Sequence, residues 1–388
     1  MTRAIDIQFI YRNRIIRYVI IVIIVVVLFA LVGGGWYFSG VVESDGLIVE
    51  NGSGEPRVMI TAVGEGTITL QQLPDADTEK NIALSAVWGV TNGSAYGQLG
   101  DVVSESDTGV IREYVSLVGE LRVGESVSLE RTAFPHDPLA AHGLQYEDVV
   151  IPAPLGNIGA WHITADSDVW AVLVHGRTSN RETSLKILDD LAELEVHSLT
   201  IDYRNDVNAP ASESGYYDYG TTEWKDVEAA VQYALDNGAD EILLFGYSMG
   251  GGIVTNYQLR SDLAGHTIGM FLDAPMLNFG RTIDKGAEER GVPAPITLFA
   301  KLFTNMRFGI DWSALDFLSR AEELTVPILL VHSDTDDTVP IETSIEFAAA
   351  LPSLVEFHTF SDVPHVASWN AYSEEYESLL RRFIERVR

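Results

Sequence analysis

Cysteine is absent from these 388 residues, which removes disulfides, thiolate metal sites, iron–sulfur clusters and any cysteine nucleophile. Basic residues are scarce: 25 Lys and Arg face 56 Asp and Glu, a formal charge of −31. Such a chain repels phosphates, so nucleic acid is excluded as a partner. Apolar residues are plentiful. At 46% of the chain they can bury a sizeable core and exclude wholesale disorder. At roughly 100–200 residues per domain the length predicts two folded units, or three.

The few bases are unevenly placed. Arg3, Arg12, Arg14 and Arg17 crowd residues 1–17, where Asp6 is the one acid. Residues 18–38, from Tyr18 to Phe38, are uncharged, and Ile20–Val32 is almost wholly aliphatic. A helix needs roughly 20 residues to span a bilayer, and Trp36 and Tyr37 stand where aromatic rings favour the interface. A cleaved signal peptide would have a shorter apolar run and a small-residue cleavage site. No clear site follows Gly33-Gly34-Gly35. The segment reads as a retained single-pass transmembrane anchor in the cell membrane. Positive-inside bias makes 1–17 a cytoplasmic stub and places everything after about Val41 outside. Without the four arginines and Asp6, 21 bases face 55 acids, so the outer part carries −34. In an oxidising compartment without disulfides, it must depend on its core.

Residues 42–142 show no strong helical periodicity. Arg57–Ala62, Thr67–Leu70, Ala83–Val90 and Ser126–Arg131 are short β-prone runs between turn signals, and Ile111–Leu121 suits a strand or a short helix. A small β-rich extracytoplasmic domain is expected. Asn51-Gly-Ser and Asn92-Gly-Ser match the glycosylation sequon. Over 146–388 the pattern changes. Apolar runs at Val169–Val174, Ser198–Tyr203, Glu241–Phe245, Ile268–Leu272, Pro327–His332 and Val355–Phe360 alternate with helical stretches. Those stretches are Ser184–Leu194, Glu223–Asn237, Gly251–Arg260, Glu342–Leu351 and a last one from Tyr372. This alternation predicts an α/β doubly wound, mostly parallel sheet.

Gly246-Tyr247-Ser248-Met249-Gly250 is a G-x-S-x-G between the strand Ile242–Phe245 and a helix opening at Gly251. That context makes Ser248 a candidate nucleophile, since a strand–turn–helix exposes the hydroxyl and aims free helix amides at the site of developing charge. A serine hydroxyl needs a base, and the base an orienting acid. Asp334, Asp336 and Asp337 crowd the carboxyl end of the Pro327–His332 strand, and His365 follows the last strand. Asp273 ends the strand after the nucleophile helix and is a further candidate acid. Gly176, in His175-Gly176-Arg177, lets backbone approach a ligand. The backbone N–H groups of Arg177 and Met249 are the candidate oxyanion hole, with His175 read as structural.

Together these residues resemble the α/β-hydrolase superfamily from about Tyr146 onward. The chain looks most like membrane-anchored bacterial serine hydrolases related to dienelactone hydrolases and prolyl-oligopeptidase catalytic domains. In that family the acid commonly precedes Val-Pro by three residues, which selects Asp336 before Val339-Pro340. The chain departs from it at Ser333, where many relatives carry Gly. About 100 residues is also too few for the propeller that precedes prolyl-oligopeptidase domains. The resemblance implies ester or amide hydrolysis with no cofactor and no metal. A Phe- and Leu-rich insert, about 276–326, stands where the family commonly carries a cap, or it is a packed connecting helix. Tyr216, Tyr217 and Tyr219 could stack on a substrate ring or merely cover a loop.

The expected activity is that of a membrane-anchored extracytoplasmic serine hydrolase, carboxylesterase- or lipase-like. It would act on a small-molecule, lipid or glycan ester through Ser248, His365 and Asp336. Alternatives are a cell-envelope acyltransferase using the same acyl-enzyme, a peptidase, and a non-catalytic envelope scaffold.

Overall fold

The computed structural model describes the backbone of residues 2–49, 55–106 and 109–388, with side chains from residue 16 onward. The sequon at Asn51 and the side chains of Arg3, Arg12 and Arg14 lie outside the described residues. The chain gathers into two compact units, one of residues 1–48 with 280–314 and one of 49–279 with 315–388.

In chain order the first element is helix α1 (Thr2–Val42). Six strands follow: β1 (Val58–Gly64), β2 (Thr67–Gln72), β3 (Trp88–Thr91), β4 (Tyr96–Ser106), β5 (Gly109–Val118) and β6 (Ser126–Glu130). A short helix α2 (Pro138–His142) leads to β7 (Glu147–Ala153), β8 (Gly156–Ile163) and β9 (Val169–Val174). Then come α3 (Leu185–Glu193), β10 (His197–Ile201), α4 (Trp224–Asp236), β11 (Glu241–Tyr247), α5 (Met249–Arg260) and β12 (Thr267–Asp273). The chain continues through α6 (Phe279–Glu289), α7 (Ala294–Phe308), β13 (Ile328–Ser333) and α8 (Ile341–Ala350). It ends with β14 (Val355–Phe360), α9 (Ser368–Ala371) and α10 (Ser373–Val387).

In the smaller unit, α1 is long and apolar enough to serve as a membrane anchor or a signal sequence. Its aliphatic side chains from Ile20 to Leu28 are exposed. Helix α7 docks at Gly34 and Gly35. A Cβ on Gly34 would lie 3.1 Å from Ile296, and one on Gly35 would lie 2.5 Å from the Cβ of Phe299. Trp36 meets Phe303 edge-on at 5.6 Å. The Arg307 guanidinium lies 4.4 Å over the Trp36 ring and donates to the Trp36 carbonyl at 3.1 Å. The insert expected as a cap or a connecting helix thus contributes, in α7, a partner for α1.

In the larger unit, β1–β6 close into an antiparallel barrel in the order β1-β2-β5-β4-β3-β6. Trp88 and Tyr96 are buried there, as is Arg112, whose guanidinium donates to the carbonyls of Gly100, Ile82 and Ala86. Ala83–Val90 is not one strand, for Lys80–Ala83 is a 3₁₀ turn and β3 begins at Trp88. Asn92 shapes the β3–β4 turn, where its carboxamide oxygen accepts from Ser94 and Ala95 N–H. The second sheet has eight strands in the order β14-β13-β12-β11-β9-β10-β8-β7. Strands β9 to β14 pair in parallel, while β8 and β7 add an antiparallel edge. All six residues of β9 are buried, as expected of a parallel strand covered on both faces. This crossing-over sheet places the carboxyl ends of β9, β11, β13 and β14 along one rim, where loops carry function.

Candidate active site

Strand β11 ends at Tyr247, and α5 begins at Met249. Ser248 between them has φ +51° and ψ −115°, a strained backbone for a non-glycine residue. Three close approaches require the glycines around it. A Cβ on Gly246 would lie 2.6 Å from the Gly251 Cα, and one on Gly250 would strike the Val174 carbonyl. One on Gly176 would lie 3.1 Å from the Ser248 Cβ. The strain is held by the frame, since Ser248 N–H donates to the Asp273 carbonyl and Met276 N–H to the Ser248 carbonyl, both at 2.9 Å.

The Ser248 hydroxyl donates to His365 Nε2 at 2.7 Å. His365 Nδ1–H donates to Asp336 Oδ2 at 2.6 Å. Asp336 is buried, and its Oδ1 accepts from Thr338 and Val339 N–H, each at 2.8 Å. His332, at the end of β13, gives Oδ2 a second donor at 3.1 Å through Nε2. Its Nδ1 pairs with the Ser344 hydroxyl at 2.7 Å. Burial by itself raises the Asp336 carboxyl. The His365 charge and the hydrogen bonds from His332 and His365 outweigh burial and hold the group well below the usual carboxylate range. Asp336 therefore stays ionised beside the imidazole it orients. Asp334 and Asp337 are exposed. Asp334 accepts from Ser361 Oγ and Asp362 N–H, which pins the histidine loop. Asp273 accepts from the Tyr376 hydroxyl at 2.8 Å.

Met249 is the first residue of α5, so no carbonyl within the helix takes its N–H. Gly176, immediately before Arg177, lies against Ser248. His175 is buried and donates from Nε2 to Asp206 at 3.0 Å. Its burial opposes the charge, but the Asp206 carboxylate outweighs it and raises the imidazole. His175, Asp202 and Asp206 have potential ligand atoms within 4.8 Å of one another. All three residues are already engaged, His175 with Asp206 and Asp202 with Arg181, each at 3.0 Å. Tyr217 and Tyr219 are buried, not offered to a ligand. Tyr217 accepts from Thr178 N–H at 3.3 Å, and Tyr219 stacks on Phe279 at 3.7 Å.

Sequence reasoning missed the groups behind His365. Val366 has φ +54°, a conformation costly for a β-branched residue. Its carbonyl accepts from buried Lys186 Nζ at 3.3 Å, and the same amine donates to Asn370 Oδ1 at 2.7 Å. Burial lowers that amine and raises the Asp273 carboxyl facing it. Asn370 Nδ2 in turn donates to the Val87 and Arg131 carbonyls of the barrel side, at 2.6 and 2.9 Å. Ala367, two residues past His365, belongs to the barrel's own core cluster. No motif marks Lys186 or Asn370. His332 had a visible signal in its position one residue before Ser333 at the end of an apolar run.

Comparison with known proteins fits this geometry. The serine aminopeptidase S33 family model matches residues 166–314 and the prolyl oligopeptidase family model residues 305–387. The first match contains Ser248, and the second contains Asp336 and His365. The Bacillus subtilis (strain 168) protein YqkD is 21% identical over 286 residues, 72% of this chain and 92% of its own. The esterase Pf2001 of Pyrococcus furiosus is similar in fold, in two crystal forms. One has TM-score 0.51 at 23% identity over 63% of this chain and 93% of its own. The other has TM-score 0.52 at 22% identity over 63% and 92%. The sheet order and the structural likeness show the α/β-hydrolase fold, and the two family matches support a serine hydrolase of that superfamily.

Proposed function

We propose that this chain is a membrane-anchored extracytoplasmic hydrolase that cleaves a carboxylic ester or amide through an acyl-enzyme on Ser248. The observation that carries the reading is the hydrogen-bonded relay of 2.7 and 2.6 Å from Ser248 through His365 to Asp336. As Ser248 Oγ attacks the acyl carbon, its proton passes to His365 Nε2, and the ionised Asp336 stabilises the imidazolium. The carbonyl oxygen becomes an oxyanion facing the N–H groups of Arg177 and Met249. His365 then returns the proton to the leaving oxygen or nitrogen as the C–O or C–N bond breaks. Water, deprotonated by the same imidazole, attacks the acyl-serine and releases the acid. The anchor reading rests on the uncharged run of residues 18–38 and the arginines before it, which favour a cytoplasmic N-terminus.

Labelling the purified full chain with a fluorophosphonate tests the nucleophile. Wild type is expected to label, and Ser248→Ala to lose the label and on the order of 10³-fold or more of kcat. Label retained in Ser248→Ala would defeat the proposal. The matched family models describe peptidases, so nitrophenyl esters and aminoacyl anilides compared side by side decide between ester and amide.

A further inference from the structure

The smaller unit holds an apolar surface that the proposed chemistry does not use. Leu298, Leu302 and Met306 on α7 are 67%, 51% and 69% exposed. Spaced four apart, they form one stripe along the helix. The side of α7 opposite the stripe carries the buried Thr297, Ala300 and Thr304, and the flank between the two, through Ile296, Phe299 and Phe303, packs on α1. The stripe is therefore an outward face beside that packing.

The register of α7 on α1 says what covers this face. Ile296 lies against Gly34, Phe299 against Gly35 and Phe303 against Trp36, whereas Arg307 reaches Ser39 at 2.5 Å. The two helices therefore run alongside in the same direction. The first half of α7 is level with the last part of the uncharged 18–38 run, and Arg307 is level with its end, its guanidinium reaching from Trp36 to Ser39 and Glu43. The composition of the insert follows the same gradient. Gly291–Ala300 carries no charge in a chain with 81 charged side chains, and the first charges after it are Lys301 and Arg307.

We propose that α7 is seated in the outer membrane interface beside the anchor, with Leu298 and Leu302 toward the acyl chains and Arg307 at headgroup level. The occupant of the stripe is thus lipid, in continuity with the lipid around α1. A mixed apolar and basic helix at this depth gains from burying the stripe while its cation meets anionic headgroups. Because the insert is spliced between β12 and β13, it gives the hydrolase part of the chain a second covalent attachment to the membrane. The inference rests on reading α1 as an anchor.

The absence of cysteine makes the test clean. Single variants Leu298→Cys, Leu302→Cys, Val25→Cys and Val207→Cys of the full chain are labelled with an environment-sensitive nitrobenzoxadiazole dye. They are then reconstituted in phosphatidylethanolamine–phosphatidylglycerol nanodiscs. Val25 lies in the anchor and Val207, 74% exposed, in the larger unit. The expected result at 298 and 302 is blue-shifted emission, quenched more by lipid spin-labelled near the headgroup than by lipid labelled deep in the chain. The label at 25 should show the reverse depth preference, and the label at 207 no quenching. Labels at 298 and 302 that behave like 207, with 25 still quenched, overturn the inference and leave the anchor standing. Loss of quenching at 25 as well removes the anchor and the inference together. Blue-shifted but unquenched labels, with disulfide-linked dimers of unlabelled Leu298→Cys, would assign the stripe to a second copy and also overturn it.

Discussion

The barrel and the eight-stranded sheet of the larger unit dispose of their strand edges in opposite ways. The barrel closes, β6 pairing with both β1 and β3, and so leaves no edge and no row of parallel strand ends. The sheet stays open, with Pro152 on its antiparallel edge strand β7, where a residue without an N–H is tolerated. Openness is what makes chemistry possible: the loops after β9, β11, β13 and β14 converge on Ser248. The barrel supplies backing instead. Through Val87, Arg131 and Ala367 it braces the segment after His365, whose backbone is strained at Val366. Division of labour between the two follows from their topology: ends for reacting groups, a closed body for support.

The largest expected effect tests whether the reacting acid belongs to the sheet's rim at β13 and not β12. Asp336→Asn should lower kcat by on the order of 10⁴-fold with KM little changed, because the imidazole loses its orientation and its counter-charge. Asp273→Asn should lower Tm and leave most of kcat, since Asp273 is engaged by Tyr376. Ester-hydrolysis kinetics on the two purified variants decide it, and the reverse ranking would move the acid to β12.

Breaking the barrel's hold is the next test. Asn370→Ala removes three hydrogen bonds that tie Lys186, Val87 and Arg131 together. It leaves a buried amine short of an acceptor, at a cost of about 1–3 kcal/mol per orphaned group. Loosening the strained turn beside His365 should cut kcat roughly ten- to a hundredfold while the far-ultraviolet circular dichroism stays native. A variant with lower Tm and unchanged kcat would reduce the barrel to a structural neighbour.

How much of this was legible differs between the two regions for a physical reason. Strands such as β9 and β11 are buried on both faces, so their sequences are continuous apolar runs, and the glycine–serine turn after β11 is fixed by steric limits. These positions speak through local sequence. The barrel does not. Strand β4 carries Gly97 and Gly100, which read as turn signals, yet Gly97 makes room for the Tyr114 ring and the Gly100 carbonyl receives Arg112. Both partners lie on the neighbouring strand. The antiparallel strands β7 and β8 are likewise absent from the sequence reading, because Pro152 interrupts β7 and Gly156 opens β8. Among site groups, Ser248, Asp336 and His365 stood in recognisable turns, whereas Asn370 acts only through partners as far as 283 residues away.

The smallest effect concerns how the two regions meet acid. Arg112, the barrel's buried charge, is lowered by burial only to about 10 and stays protonated at every pH from 4 to 7. The sheet instead buries His162 on β8, stacked on Trp170, with His197 stacked on the same ring and hydrogen-bonded to His162, Nε2 to Nδ1, at 3.2 Å. Burial first, and the His197 charge second, push His162 down to about 4 from the usual 6.5. Between those values the unfolded chain binds the proton and the folded chain does not, so this group makes stability fall as pH drops from 6.5 toward 4. His162→Gln should therefore shrink the loss of Tm between pH 7 and pH 5 by on the order of 1–3 °C, read by scanning calorimetry. A barrel variant such as Arg112→Met should lower Tm at both pH values alike. An equal pH dependence in His162→Gln and wild type would mean that the sheet's acid response originates elsewhere than in His162.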